Sequence, residues 1–169
     1  MINVALLGFG RIGQMHAENI NKNKDLRLLY VYEKVDQLSK KAKHLYNCKI
    51  QTNYNKIFSD KDVDIIFISS PTNTHIKFIE EGMKFKKTIF CEKPLDLNID
   101  KIIKTFKKVK KLRPKIQLGF NRRYDPGHFS MIMQQLVQQR NLILTRRVSN
   151  LLASVCSKNV NKTLKSLRS

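Results

Sequence analysis

The first thirteen residues constrain this chain more than any other stretch. An apolar run, Ile2-Asn3-Val4-Ala5-Leu6-Leu7, stops on Gly8-Phe9-Gly10-Arg11-Ile12-Gly13, and an amphipathic pattern follows at once. A short apolar run closed by glycine reads as a buried strand, and the pattern after it as a helix. Three glycines spaced i, i+2 and i+5 at such a junction each have a task. Gly8 permits the tight turn, Gly10 lets a ligand approach the backbone where a Cβ would stand, and Gly13 lets the helix pack closely on the strand. The helix start then points unpaired N–H groups and the positive end of its dipole above the turn, which favours a phosphate there. A tight strand-to-helix turn that binds nothing is the plain alternative.

The same rhythm continues to about residue 120. Strands are predicted at 2–7, 26–32, 48–51, 63–69, 88–91 and 115–118. Helices are predicted at 12–20, 35–46, 74–85 and 99–112, with a single helical turn near 54–58. Strands alternating with helices of this length define an α/β chain built on a parallel sheet. Six strands in that rhythm predict a doubly wound Rossmann sheet in the order 3-2-1-4-5-6. Ile102, Ile103, Phe106 and Val109 are predicted to form the inner face of the helix at 99–112.

The formal net charge of +20 raises a nucleic-acid or membrane partner as a competing class. Its distribution disfavours both. Lys101, Lys104, Lys107, Lys108, Lys110 and Lys111 fill the outer faces of the predicted 99–112 helix, as on a solvated surface. Zinc-finger spacing and RNP-like aromatic motifs are absent, and no apolar stretch approaches a membrane span. The opening residues lack the basic region of a secretory leader. Cys48, Cys91 and Cys156 are odd in number and form no C-x-x-C pair, so they read as reduced thiols of a cytoplasmic protein, with no metal site.

The turn acquires a second half at Glu33, which ends the second predicted strand twenty positions after Gly13. A carboxylate there accepts hydrogen bonds from the adenosine ribose hydroxyls and repels a 2′-phosphate, favouring NAD over NADP. Lys34 beside it pulls the other way, and an ordinary acid at a helix start is the bland reading of Glu33. The whole turn, Gly8, Phe9, Gly10, Arg11, Ile12 and Gly13, is taken as cofactor-binding together with Glu33.

Three further motifs close the fourth, fifth and sixth strands. They are Ser69-Ser70-Pro71-Thr72-Asn73-Thr74-His75, Cys91-Glu92-Lys93-Pro94-Leu95 and Gly119-Phe120-Asn121-Arg122-Arg123-Tyr124-Asp125-Pro126. With the glycine turn they resemble the glucose–fructose oxidoreductase/inositol dehydrogenase (Gfo/Idh/MocA) family over residues 1–126, and the last motif most resembles its myo-inositol 2-dehydrogenase branch. The resemblance implies an NAD-dependent dehydrogenase of polyols or sugars. It implies that Ser70, Pro71, Asn73 and His75 line the cofactor, that Glu92 belongs to the cofactor side and orients Lys93, and that Lys93 is catalytic. It also implies that Lys93, Asn121 and Arg122 meet the substrate. His75 has a bland reading as a residue that merely starts a helix, and His16 is read as structural.

Past residue 126 the chain changes character. Residues 127–169 hold seven Lys or Arg and no Asp or Glu, whereas residues 1–125 hold all thirteen acids. The expected division is a cofactor domain at 1–126 and an irregular, partly helical basic tail at 127–169. The resemblance implies a second α+β domain carrying the substrate pocket and the dimer surface of a homo-oligomer, and nothing after Pro126 matches it. The tail is therefore expected to be a truncated or frame-shifted remnant, checked by reading the gene in all three frames around codon 127. On that expectation the purified chain binds NAD weakly and makes no NADH from myo-inositol. A nucleotide-binding module without turnover and a basic nucleic-acid binder are the alternative classes.

Overall fold

The computed structural model describes residues 1–120, together with Gly127 and Ser130. Six strands are formed, β1 Ile2–Leu7, β2 Leu26–Tyr32, β3 Lys49–Gln51, β4 Ile65–Ile68, β5 Thr88–Glu92 and β6 Ile116–Gly119. Five helices alternate with them, α1 Arg11–Lys22, α2 Asp36–Tyr46, α3 Tyr54–Ser59, α4 His75–Lys84 and α5 Ile99–Leu112, and a 3-10 turn, Thr72–Thr74, leads into α4. Every neighbouring pair of strands is parallel, and the order is β3-β2-β1-β4-β5-β6. This is the doubly wound order expected from the sequence. The expected boundary after residue 126 and the reading of the tail lie outside the described residues, save for Gly127 and Ser130.

Helices cover both faces of the sheet, so its central strands are apolar on both sides. Val4, Ala5, Leu6 and Leu7 of β1 have no exposed surface. Alternation divides them between two cores. Val4 and Leu6 join Phe9, Ala17, Ile20, Val31 and Ala42 on the side of α1 and α2. Ala5 and Leu7 join Ile57, Phe58, Ile66, Ile68, Phe78 and Ile79 on the side of α3 and α4. Truncating a fully buried isoleucine such as Ile66 to alanine costs about 2–5 kcal/mol in cores of this kind.

Helix starts follow the sequence closely. Asn98 caps α5 by accepting from the Asp100 and Lys101 amides, and Asn53 caps α3 by accepting from Asn55. The inner face of α5 departs from expectation. Thr105 is buried and Ile102 and Val109 are half-buried, while Ile103 and Phe106 are 48% and 66% exposed. Apolar residues fill two adjacent helical stripes in α5, and only the one through Ile102, Thr105 and Val109 is drawn out of solvent, with Val109 packed against the core. Periodicity alone does not say which stripe meets the core.

Candidate functional site

In an open α/β sheet a ligand sits outside the carboxyl ends of the strands, where the strand order reverses. Here that point lies between β1 and β4, and the residues singled out from the sequence gather around it.

The glycine turn is held from below. Gly8 adopts a φ of +95°, and a Cβ there would stand 2.7 Å from the Cα of Ser70. Its N–H donates to the Tyr32 carbonyl at 2.9 Å, and its carbonyl accepts from the Ser69 hydroxyl at 2.9 Å. A Cβ on Gly13 would overlap the Gly8 carbonyl oxygen, so α1 can sit this close to β1 only without one. Gly10 differs from both, because its Cβ position meets no atom within 4 Å. It precedes α1, whose start has no capping side chain and no acid in its first turn. Open space beside Gly10 and an uncapped helix start suit a pyrophosphate.

Phe9 contributes position. Its side chain is fully buried, edge-on to Tyr46 at 6.1 Å, and its N–H donates to Glu33 Oε2 at 2.8 Å. Arg11 is exposed and Ile12 half-buried at the helix start. Gln14, which the sequence did not single out, donates to the Phe9 carbonyl at 3.2 Å and accepts from Lys41 at 2.6 Å.

Glu33 holds two loops together. Oε2 accepts from Phe9, while Oε1 accepts from the Lys34 and Val35 amides at 2.7 and 2.9 Å. The carboxylate therefore braces the glycine turn against the start of α2. Oε1 already accepts two bonds, and Oε2, which accepts one, retains lone-pair capacity for a hydroxyl donor. Through Oε2, Glu33 can accept from one adenosine ribose hydroxyl without giving up its backbone contacts.

Beyond β4, Pro71 and Asn73 are exposed and Ser70 is half-buried. The Ser70 and Thr74 hydroxyls lie 2.6 Å apart, and the Thr74 hydroxyl donates to the Pro71 carbonyl at 2.6 Å. His75 is 2% exposed, with each ring nitrogen 2.8 Å from a main-chain carbonyl, Nδ1 from Pro94 and Nε2 from Ser70.

At the end of β5, Lys93 is exposed and its peptide bond to Pro94 is cis. The Lys93 amide donates to Glu92 Oε2 at 3.2 Å, and Glu92 Oε1 meets His16 Nε2 at 2.8 Å. His16 also packs 5.1 Å from Phe67 and 5.3 Å from Phe90, whose rings stack at 4.2 Å. Glu92 thus ties the Lys93 turn to the helix that follows the glycine turn. This contact spans 76 residues of sequence, and no local pattern reveals it. Gly119 on β6 leaves room for Glu92, because a Cβ there would lie 3.1 Å from its carboxyl group. Asn121 and Arg122 lie outside the described residues.

Cys91, within the same motif, is fully buried. Burial pushes its thiol up to about 12, helped by the nearby Glu92 carboxylate, and burial also raises Cys48. The thiolate is the reactive form. At pH 8 iodoacetamide should leave Cys91 unmodified in the folded chain and alkylate it after unfolding, as read by peptide mass spectrometry. Rapid alkylation of the folded form would contradict this burial.

A fold in this strand order, with an open glycine turn and an acid braced against it, defines an NAD-binding Rossmann protein. Residues 2–120 match the Gfo/Idh/MocA model, described as an oxidoreductase family with an NAD-binding Rossmann fold, and the chain belongs to that family. The inositol 2-dehydrogenase of Rhizobium meliloti is 36% identical over 135 residues, covering 80% of this chain and 40% of that protein. The myo-inositol 2-dehydrogenase of Thermotoga maritima is 36% identical over 126 residues, covering 73% of this chain and 37% of that protein. The scyllo-inositol dehydrogenase of Lactobacillus casei, solved with bound NAD(H) and scyllo-inositol, superposes with a TM-score of 0.72 at 31% identity, covering 82% of this chain and 41% of that one. The chain thus spans about 40% of the length of the relatives it matches. Among the described residues no helix is long and apolar enough to cross a membrane, and no cluster of His, Cys, Asp and Glu is arranged to hold a metal ion.

Proposed function

We propose that this chain supplies the cofactor side of an NAD-dependent dehydrogenase acting on a polyol hydroxyl of the inositol kind. The observation that carries the proposal is the convergence of three structures at one end of the sheet. These are the open turn at Gly10, the Glu33 carboxylate and the exposed Lys93, on the loops after β1, β2 and β5. The relatives named for inositol oxidation supply the substrate class.

In this reading the helix N–H groups behind Gly10, with Arg11 beside them, receive the pyrophosphate. Glu33 receives an adenosine ribose hydroxyl, and Ser70, Pro71 and Asn73 line the cofactor further along. NAD, when bound, supplies the acceptor for the hydride. The Nζ of Lys93, as the neutral amine, takes the proton from the substrate hydroxyl, and the positive charge that builds on it as the proton arrives favours the developing alkoxide. Glu92 orients the Lys93 turn through the amide it accepts from, and Asn121 and Arg122 meet the substrate. We place the reaction in the cytoplasm, where thiols such as Cys48 and Cys91 stay reduced.

Calorimetric titration with NAD and NADP tests the cofactor assignment, with tighter binding of NAD expected. Tighter binding of NADP would overturn the role given to Glu33. A second reading is nucleotide binding without turnover, in which the open glycine turn and Glu33 serve a bound cofactor alone. NADH formation from myo-inositol, followed at 340 nm, separates the two readings. Turnover lost in Lys93→Met with NAD affinity retained supports the first, and binding without any turnover supports the second.

A further inference from the structure

We propose that His75 is a positioning residue. It clamps the loop after β4 to the turn after β5 and so sets the spacing between the cofactor-lining segment and Lys93. The inference rests on the reading of Ser70, Pro71 and Asn73 as cofactor-lining and of Lys93 as the proton acceptor.

Only three polar residues among those described are buried, Ser39, Thr105 and His75. His75 opens α4, so its backbone already belongs to one crossover. Its ring reaches to both sides of the site. Nε2 lies 2.8 Å from the carbonyl of Ser70, and Nδ1 lies 2.8 Å from the carbonyl of Pro94, the residue after Lys93. A carbonyl can only accept, so the ring donates to both at once only with a proton on each nitrogen, and a neutral ring donates to one of the two while facing the other.

The strand ladder does not do this work. The pairing of β4 with β5 ends at Ile68 and Cys91, before either loop begins. Among the described residues no other hydrogen bond joins the segment 69–75 to the segment 93–98. The two loops leave the sheet side by side, and one buried imidazole bridges them. An apolar side chain of similar size would fill the same space and take away the donor that the ring brings to these carbonyls. This shape and this chemistry therefore suit a fixed bridge and are costly for mere filling.

The two ends of the bridge can be cut separately, because the amide nitrogen of asparagine falls near the place of Nδ1 and that of glutamine near Nε2. In the full chain, His75→Asn should keep the donor to Pro94 and release Ser70, and His75→Gln should do the reverse. Amide hydrogen exchange should rise by about tenfold, as for one lost buried hydrogen bond, in residues 69–74 of His75→Asn alone. The same rise should appear in residues 93–97 of His75→Gln alone. NAD affinity should fall more in His75→Asn, which frees the cofactor-lining loop. Equal responses of both loops in both variants, or no response in a folded variant, would overturn the clamp. If neither variant folds, the wild-type chain decides: His75 ring protons in slow exchange with water, coupled through hydrogen bonds to both the Ser70 and the Pro94 carbonyl, support it, and coupling to one carbonyl alone or to neither refutes it. Loop-selective exchange in a chain that binds no NAD would sink the cofactor assignment and leave the clamp standing. NAD binding without that selectivity would do the opposite.

Discussion

Gly13→Ala and Gly10→Ala are expected to fail in opposite ways, although they change neighbouring turns of the same motif by the same methyl group. The methyl of Gly13→Ala would occupy the space of the Gly8 carbonyl oxygen and would also come within 3.0 Å of the Ser69 hydroxyl. Backbone cannot rotate away as a side chain can, so α1 must lift from β1. Overpacking of this kind costs about 1–3 kcal/mol and occasionally more, and the contact with main chain places Gly13→Ala at the upper end. The denaturation midpoint should fall accordingly, and NAD affinity should drop with it because the helix start moves. At Gly10 the added methyl meets nothing within 4 Å, and the backbone there is extended, with a φ of −66°. Gly10→Ala should fold with unchanged or slightly raised stability, by up to about 1 kcal/mol through the reduced freedom of the unfolded chain. It should nevertheless lose NAD binding by tenfold or more, about 1.4 kcal/mol, because the methyl stands where the pyrophosphate approaches. Equal affinity for NAD in Gly10→Ala and wild type would remove the pyrophosphate from this turn.

The second large effect is expected at Glu33. Its carboxylate is the acceptor for three main-chain amides, those of Phe9, Lys34 and Val35. Glu33→Ala leaves all three without that partner. The two on the exposed side can turn to water, but the Phe9 amide is part-buried. A loss of about 1–3 kcal/mol in unfolding free energy follows from an orphaned buried donor. Cofactor choice should change as well. With the carboxylate gone, Lys34 faces a 2′-phosphate without opposition, and the preference for NAD over NADP should collapse or reverse. Paired titrations with the two cofactors give the ratio directly. A ratio that does not move in a folded variant would show that Glu33 serves the protein alone and never meets the ribose.

These effects differ in how far they can be read from sequence. The order of the sheet was legible, because glycine, apolar runs and helical periodicity are local signals and right-handed crossovers leave few arrangements of six strands. The glycine turn and Glu33 were legible for the same reason, since their spacing is fixed by one strand, one helix and one more strand. The core face of α5 was not. Ile103 and Phe106 are as apolar as their neighbours, yet they stand exposed where Thr105 is buried. The partners of the site residues were not legible either. Gln14 was passed over, Ser69 was given no role of its own and His16 only an unspecified structural one, yet they hold Phe9, Gly8 and Glu92 in place.

By itself, then, the sequence determined the alternation of elements, the positions of the loops at the carboxyl ends of the strands and the residue types available on them. Periodicity and glycine placement act over a few residues, and a single chain records them directly. Tertiary structure decided which of those residues face one another. His16 meets Glu92 across the sheet, Glu33 grips the glycine turn rather than standing free, and His75 turns both ring nitrogens to carbonyls on separate loops. Such pairings depend on how strands far apart in sequence lie side by side, and distance along the chain carries no record of it.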